Sequence, residues 1–312
     1  MIVYLNGELI PRERARVSVF DRGFVFGDGV YEGLRSVPSG SAGARIVGVR
    51  GHEERMHAGL REAMIEWDVR ELGPASERLL TANSLRDAFV YWHVTRGTPT
   101  PAMPVRQRVP GKAMTPTVFA YCSEQPAMET FITPASKSAI TLRDIRWEMG
   151  SLKSISLMGN VWSAMRADAQ GADDAIFLRG GEDGLAAEGL ATNVIVVTRD
   201  GEVCTPSLGS VPILAGVTRA ILLRECPEIV ERPVRPAELR DAREVMLCGT
   251  TTMVASVTKL DGRAVGDGSP GPVATRLLRV LVEAIRAGRD RKEHTGSRGS
   301  RDGAEAENDD EV

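Results

Sequence analysis

Cysteine is scarce in this 312-residue chain: Cys122, Cys204, Cys226 and Cys248 are scattered, and no C-x-x-C pair occurs. That excludes a zinc ribbon or a disulfide framework and fits thiols kept reduced. Neither sign of charge dominates. The 39 Lys+Arg and 42 Asp+Glu leave a net charge of −3, so the basic stripe of a nucleic-acid binder is missing. No apolar run approaches the roughly 20 residues of a membrane span. The chain opens directly on the strand-like "MIVYLNGELI", with no charged and apolar leader. The expectation is a soluble cytoplasmic protein with no metal, nucleic-acid or membrane partner. Lysine is rarer than these totals suggest. Only Lys112, Lys137, Lys153, Lys259 and Lys292 are lysines among the 39 basic residues, so each lysine is informative.

What is present is ample chain for a core, with 42% hydrophobic residues and a length suited to one large or two ordinary domains. "IVYLNGELI", "RIVGV", "AFVYWHVTRG" and "TVFAYC" are rich in β-branched and aromatic residues and read as strands. "GHEERMHAGLREAMIEW" carries apolar residues at helical spacing. The proline-rich stretch 98–116 reads as a long irregular loop, a kind that is often functional. The second half adds a helix through "NVWSAMRADAQGA", strands "DAIFLRG", "ATNVIVVTRDG", "EVMLCGT" and "MVASVTKLDG", and a final helix in "GPVATRLLRVLVEAIRAG". The reading is an α/β (α+β) two-domain chain. It has a small N-terminal domain over 1–123, a linker over 124–133 and a larger C-terminal domain over 134–288. A polar tail over 289–312 has few apolar residues and is expected to be disordered.

Five short constellations carry chemistry. Lys153 in "GSLKSISLMGN" sits among small and apolar residues, and a lysine amine is what condenses with an aldehyde. Glu188 in "AAEGLATNVIVV" precedes a strand, and a carboxylate there can keep a pyridine nitrogen protonated. Val217 and Thr218 in "ILAGVTRAILL" open a helix, and Thr250 and Thr251 follow Gly249 in "LCGTTTMVAS". Amides and hydroxyls in such turns form anion nests. Arg55 in "HEERM" is a possible phosphate contact. Taken singly, Lys153 also reads as a surface lysine, Glu188 as a turn residue and Arg55 as part of a solvated helix face.

Taken in order, "VSVFDRGFVFGDGVYEGLRS", "SLKSISLMGNVWSAMRADAQGADDAIFL", "AAEGLATNVIVV", "ILAGVTR" and "GTTTMVASVTKLDGRAVGDGSPGPVATRLL" resemble the class IV pyridoxal-phosphate aminotransferases. The resemblance spans about residues 2–285. It implies a fold-type IV homodimer with pyridoxal 5'-phosphate between the two domains. Lys153 matches the lysine that holds the cofactor, Glu188 the carboxylate on its ring nitrogen, and Arg55, Val217, Thr218 and Thr250 its phosphate contacts. Thr251 falls where backbone faces substrate, and Tyr31 matches an active-site tyrosine of the D-amino acid branch.

"HVTRGT" and "DIRW" resemble that branch more than the branched-chain enzymes. Branched-chain members place a tyrosine five residues after the lysine, where this chain has Met158, and favour an arginine where His93 aligns. The substrate carboxylate is expected to meet Arg106 or Arg108 in the proline-rich loop, or Arg35, which shares strand parity with Tyr31 and Gly33. The expected activity is transamination between a D-amino acid and a 2-oxo acid. The other readings are a branched-chain L-amino acid aminotransferase, an aminodeoxychorismate lyase, an (R)-amine transaminase, and a cofactor-binding protein without turnover.

Overall fold

The computed structural model describes residues 1–41, 43–110 and 114–291. Its first sheet uses β1 (Ile2–Leu5), β2 (Glu8–Pro11), β3 (Gly29–Ser39), β4 (Gly43–Ile46), β5 (Ala88–Thr95) and β6 (Thr117–Glu124). The strands run in the order β2-β1-β6-β5-β3-β4, and every pairing is antiparallel. Burial alternates along β5, as expected when one sheet face is covered. Val90, Trp92 and Val94 point inward. The cover is α2 (Val49–Glu62) and α3 (Leu72–Ala82). They bury Met56, Leu60, Leu72, Leu79 and Leu80 against the sheet. The Trp92 indole N–H donates to Ser76 Oγ at 2.8 Å, so the one polar atom of that ring is satisfied in the core.

The second sheet uses β7 (Ala135–Arg143), β8 (Asp174–Arg179), β9 (Leu185–Gly189), β10 (Asn193–Val197), β11 (Val203–Pro206), β12 (Val230–Arg232), β13 (Glu244–Gly249), β14 (Met253–Leu260) and β15 (Arg263–Ala264). The path β12-β11-β10-β13-β14-β7-β8-β9 closes on itself because Asn193 on β10 pairs with Glu188 on β9. Closure removes the sheet edges there. It also sets Glu188 and Asn193 side by side on the rim. Packed against this layer are α5 (Val217–Glu225) and α7 (Pro272–Arg286). The inward side of α7 buries Leu277, Leu278, Leu281, Val282 and Ile285. The remaining helices are α1 (Arg22–Phe26), α4 (Met158–Asp168) and α6 (Pro236–Arg240). No helix among the described residues is long and apolar enough to cross a membrane.

Two segments add detail to the sequence reading. Within 124–133, residues Met128–Thr130 form a 3-10 turn, and Met128 is buried in the same core cluster as α5 and α7. This stretch, which joins β6 to β7, is itself packed. The polar tail expected from 289 starts too early, because Arg289–Arg291 form another 3-10 turn. Asp290 there is buried, accepts from Arg45 Nη1 at 2.8 Å and from the Gly48 amide at 2.9 Å, and so caps α2. A charged residue with a buried partner is invisible to composition. Residues 292–312 lie outside the described residues.

Candidate active site

A cavity of about 410 Å³ lies between the two sheets. Lys153 reaches it from the crossing segment 144–157 that follows β7. This segment is stitched to the first sheet: the Tyr31 amide donates to Lys153 O at 3.0 Å, and Val30 bridges to Ser154. Lys153 Nζ stands 4.2 Å from the Tyr31 ring centroid, a cation–π contact at the cavity edge.

Glu188 is buried at the barrel rim. Its Oε1 accepts from Arg146 Nη1 at 2.6 Å, and its Oε2 accepts from the Leu214 amide at 3.0 Å and from Asn193 Nδ2 at 3.4 Å. Burial pushes this carboxyl above the ordinary glutamate value, and Arg146 opposes the shift without cancelling it. Arg146 is itself held by Asp144, at 2.9–3.0 Å, and by the face of Phe177.

The opposite wall is an anion cup. The N-terminus of α5 has Gly216 at the cap position and no side-chain cap, so the first amides keep their donors toward the cavity. By contrast, the amides opening α7 are taken by the Glu244 carboxylate at 2.8 and 3.0 Å. Gly216 is required where it stands, since a Cβ there would lie 1.9 Å from Asn193 Oδ1. The turn Gly249–Thr251 completes the cup. It leads into Met253, which is held at φ 57, a strained conformation for a buried non-glycine residue. Arg55 projects from α2 into the same wall, far from a solvated helix face. It forks onto Glu32 through Nε and Nη2, both at 2.7 Å, and its Nη1 donates to Ala215 O at 2.9 Å. His52 Nδ1 lies 2.8 Å from Glu32. Burial raises the Glu32 carboxyl, but Arg55 and His52 outweigh it and hold the group well below the usual carboxylate range.

An amine on a loop, a buried carboxylate and an uncapped helix end thus converge on one cavity. The sequence profile described as amino-transferase class IV matches residues 29–260. The chain belongs to the class IV aminotransferases. It is 33% identical over 293 residues to a D-alanine aminotransferase of Bacillus licheniformis, covering 91% of this chain and 97% of that protein. Among solved structures it is similar to a branched-chain amino acid aminotransferase from T.th. with pyridoxamine 5'-phosphate, at TM-score 0.79 and 26% identity over 92% of this chain and 95% of that one. A Mycobacterium tuberculosis hypothetical aminotransferase in its PLP-bound form matches at TM-score 0.73 and 25% identity, covering 92% and 100%.

Class IV aminotransferases are pyridoxal-phosphate enzymes, and this chain is a PLP-dependent transaminase. Its cavity fits that group. Thr192 Oγ1, on the lining, is a buried hydroxyl without a partner, and such an atom calls for a polar ligand. The α5 amides and the threonine turn suit a phosphate.

In this class IV aminotransferase, Tyr31, Arg55, Lys153, Glu188, Val217, Thr218, Thr250 and Thr251 all border the cavity. Four arginine and histidine candidates do not. Arg35 shares parity with Tyr31 and Gly33, but β3 carries it past the cavity. It is 2% exposed and lies over the Phe131 ring, donating to Pro126 O. His93 on β5 pairs with Tyr31 on β3 but does not line the cavity, and the Tyr91 hydroxyl is 3.1 Å from its Nδ1. Burial pushes this imidazole below its ordinary value. Arg106 and Arg108 are exposed on the proline-rich loop. Arg106 stacks near Phe26, and the Arg108 carbonyl is taken by Arg22. Sequence reading missed Glu32, His52, Arg146 and Asn193. Arg146 lay inside the quoted "DIRW", and Asp144 two residues before it was the available signal.

Proposed function

We propose that the chain transfers amino groups between a D-amino acid and a 2-oxo acid, with pyridoxal 5'-phosphate held between the two sheets. The observation that carries this reading is the 33% identity, over nearly the whole chain, to a D-alanine aminotransferase. Lys153 binds the cofactor's aldehyde carbon covalently. The amides of Val217 and Thr218, with Thr250 and Arg55, bind its phosphate. Glu188 would face its ring nitrogen, where its carboxylate, hydrogen-bonded by Arg146, would stabilise the protonated ring. When bound, the cofactor takes the donor's amino group and delocalises the electron pair left on the donor's α-carbon. Lys153 Nζ, once free, would move the proton from the donor's α-carbon to the cofactor's former aldehyde carbon, acting as base and then acid. The phosphate contacts contribute uniform binding, so they anchor without accelerating.

Of the two arginines bordering the cavity, Arg55, paired with Glu32, is assigned to the phosphate, and Arg146 is held by Glu188 and Asp144. The substrate carboxylate is therefore assigned to the Thr250–Thr251 turn and to Arg106 or Arg108 supplied by a second copy. A homodimer is favoured by the apolar rim: Ile145 and Trp147 line the cavity yet are 49% and 46% exposed. On α4, Met158, Val161, Trp162 and Met165 form an exposed stripe at helical spacing. Four buried free thiols suit the reducing cytosol. A branched-chain L-amino acid activity is the second reading, favoured by the branched-chain structural neighbour. Mixing cofactor-loaded protein separately with D-alanine, L-leucine, (R)-1-phenylethylamine and aminodeoxychorismate discriminates. Loss of the lysine-bound absorbance with D-alanine, and not L-leucine, is expected; the reverse outcome refutes the D-amino acid assignment.

A further inference from the structure

Behind the anion cup, on the side away from the main cavity, lies a void of about 10 Å³. That is room for a single water. Its polar wall is Arg35, His52, Thr218 and Thr250, while Val47 and apolar side chains of β14, α5 and α7 form the rest. Arg35 is nearly fully buried, and its Nε and Nη1 have no hydrogen-bond partner. Asp87 is the acidic side chain whose charge acts on Arg35, but its Oδ1 is also without a partner and no ion pair joins the two. A buried guanidinium left this incompletely matched is costly unless something anionic answers it. Thr218 and Thr250 belong to the cup on one side and to this void on the other.

We infer that Arg35 is a second cation for the bound phosphate, acting from behind the cup through the one-water void instead of by direct contact. This rests on the cofactor reading above. It makes Arg35 a positioning residue: it holds the phosphate end while Lys153 exchanges partners at the other end.

The test is binding, not turnover. Affinities of cofactor-free wild type, Arg35→Met and Arg35→Lys are measured for pyridoxal 5'-phosphate, for inorganic phosphate and for pyridoxal, which lacks the phosphate. Arg35→Met is expected to weaken the two phosphate-bearing ligands at least about tenfold. It should leave pyridoxal unchanged and the thermal midpoint of the cofactor-free protein no lower than wild type. Arg35→Lys, keeping the charge, should bind nearer to wild type. Should Arg35→Met fail to fold, Arg35→Gln carries the same comparison. Equal phosphate affinity in wild type and the neutral variant overturns the inference. So does an equal loss for pyridoxal and its phosphate, or an Arg35→Lys no better than Arg35→Met. A wild type that binds neither phosphate ligand would instead sink the cofactor reading itself.

Discussion

Replacing Glu32 by Gln tests the framework that holds Arg55 in the cup. Glu32 is fully buried and receives two hydrogen bonds from Arg55 and one contact from His52, all at 2.7–2.8 Å. Glutamine keeps the shape but removes the charge, leaving the Arg55 guanidinium buried without its counter-ion. Breaking such a pair from one side costs about 3–5 kcal/mol. The penalty has a pH signature. Glu32 is held below the ordinary glutamate value of 4.5 in the folded protein, so its stabilisation is complete above that value and drains away as pH falls below it. Urea unfolding of the cofactor-free protein in phosphate-free buffer should therefore show the largest gap between wild type and Glu32→Gln near pH 7. The gap should narrow as pH falls below the glutamate value. A gap below about 1 kcal/mol at pH 7 would place the pair among weakly coupled surface bridges. A gap that stays constant with pH would show that the carboxylate's charge is not what the variant loses. Either result refutes the reasoning.

Three further outcomes follow from the same geometry. Glu188→Gln should retain cofactor but slow the amine half-reaction by at least about tenfold in stopped-flow absorbance, because the ring nitrogen loses the group that keeps it protonated; an unchanged rate removes that role. Gly216→Ala forces a Cβ to within 1.9 Å of Asn193 Oδ1, so cofactor affinity measured by fluorescence titration should fall, and an unaltered affinity would show that the turn yields freely. Asp290→Asn breaks the buried pair with Arg45 and loosens the α2 cap, costing about 3 kcal/mol in chemical unfolding, and a neutral result would return 289–291 to the tail.

The residues that border the cavity were legible in the sequence where their immediate neighbours mark them. Lys153, Glu188, the Val217–Thr218 helix start and the Thr250–Thr251 turn are each declared within a few residues by small, hydroxylated or turn-forming partners. Parity along β3 also placed Tyr31 and Gly33 on the cavity side. It failed at Arg35, because parity gives a face but not how far along the strand the cavity extends. Partnerships across long separations were not legible at all. Glu32 meets Arg55 only when α2 packs on the sheet, Arg146 meets Glu188 only when the barrel closes, and Asp290 finds Arg45 245 residues away. The substrate end is least legible, since Arg106 and Arg108 sit on a loop whose proline-rich pattern specifies irregularity and no direction.

The central claim is that Lys153 is the amine that reacts. Borohydride reduction of the cofactor-loaded protein, followed by peptide mass mapping, fixes the cofactor on whichever lysine holds it. The account predicts one modification, on the peptide containing Lys153, and none in a Lys153→Ala variant. Stoichiometric modification of Lys137 or Lys259, with Lys153 untouched, would contradict it.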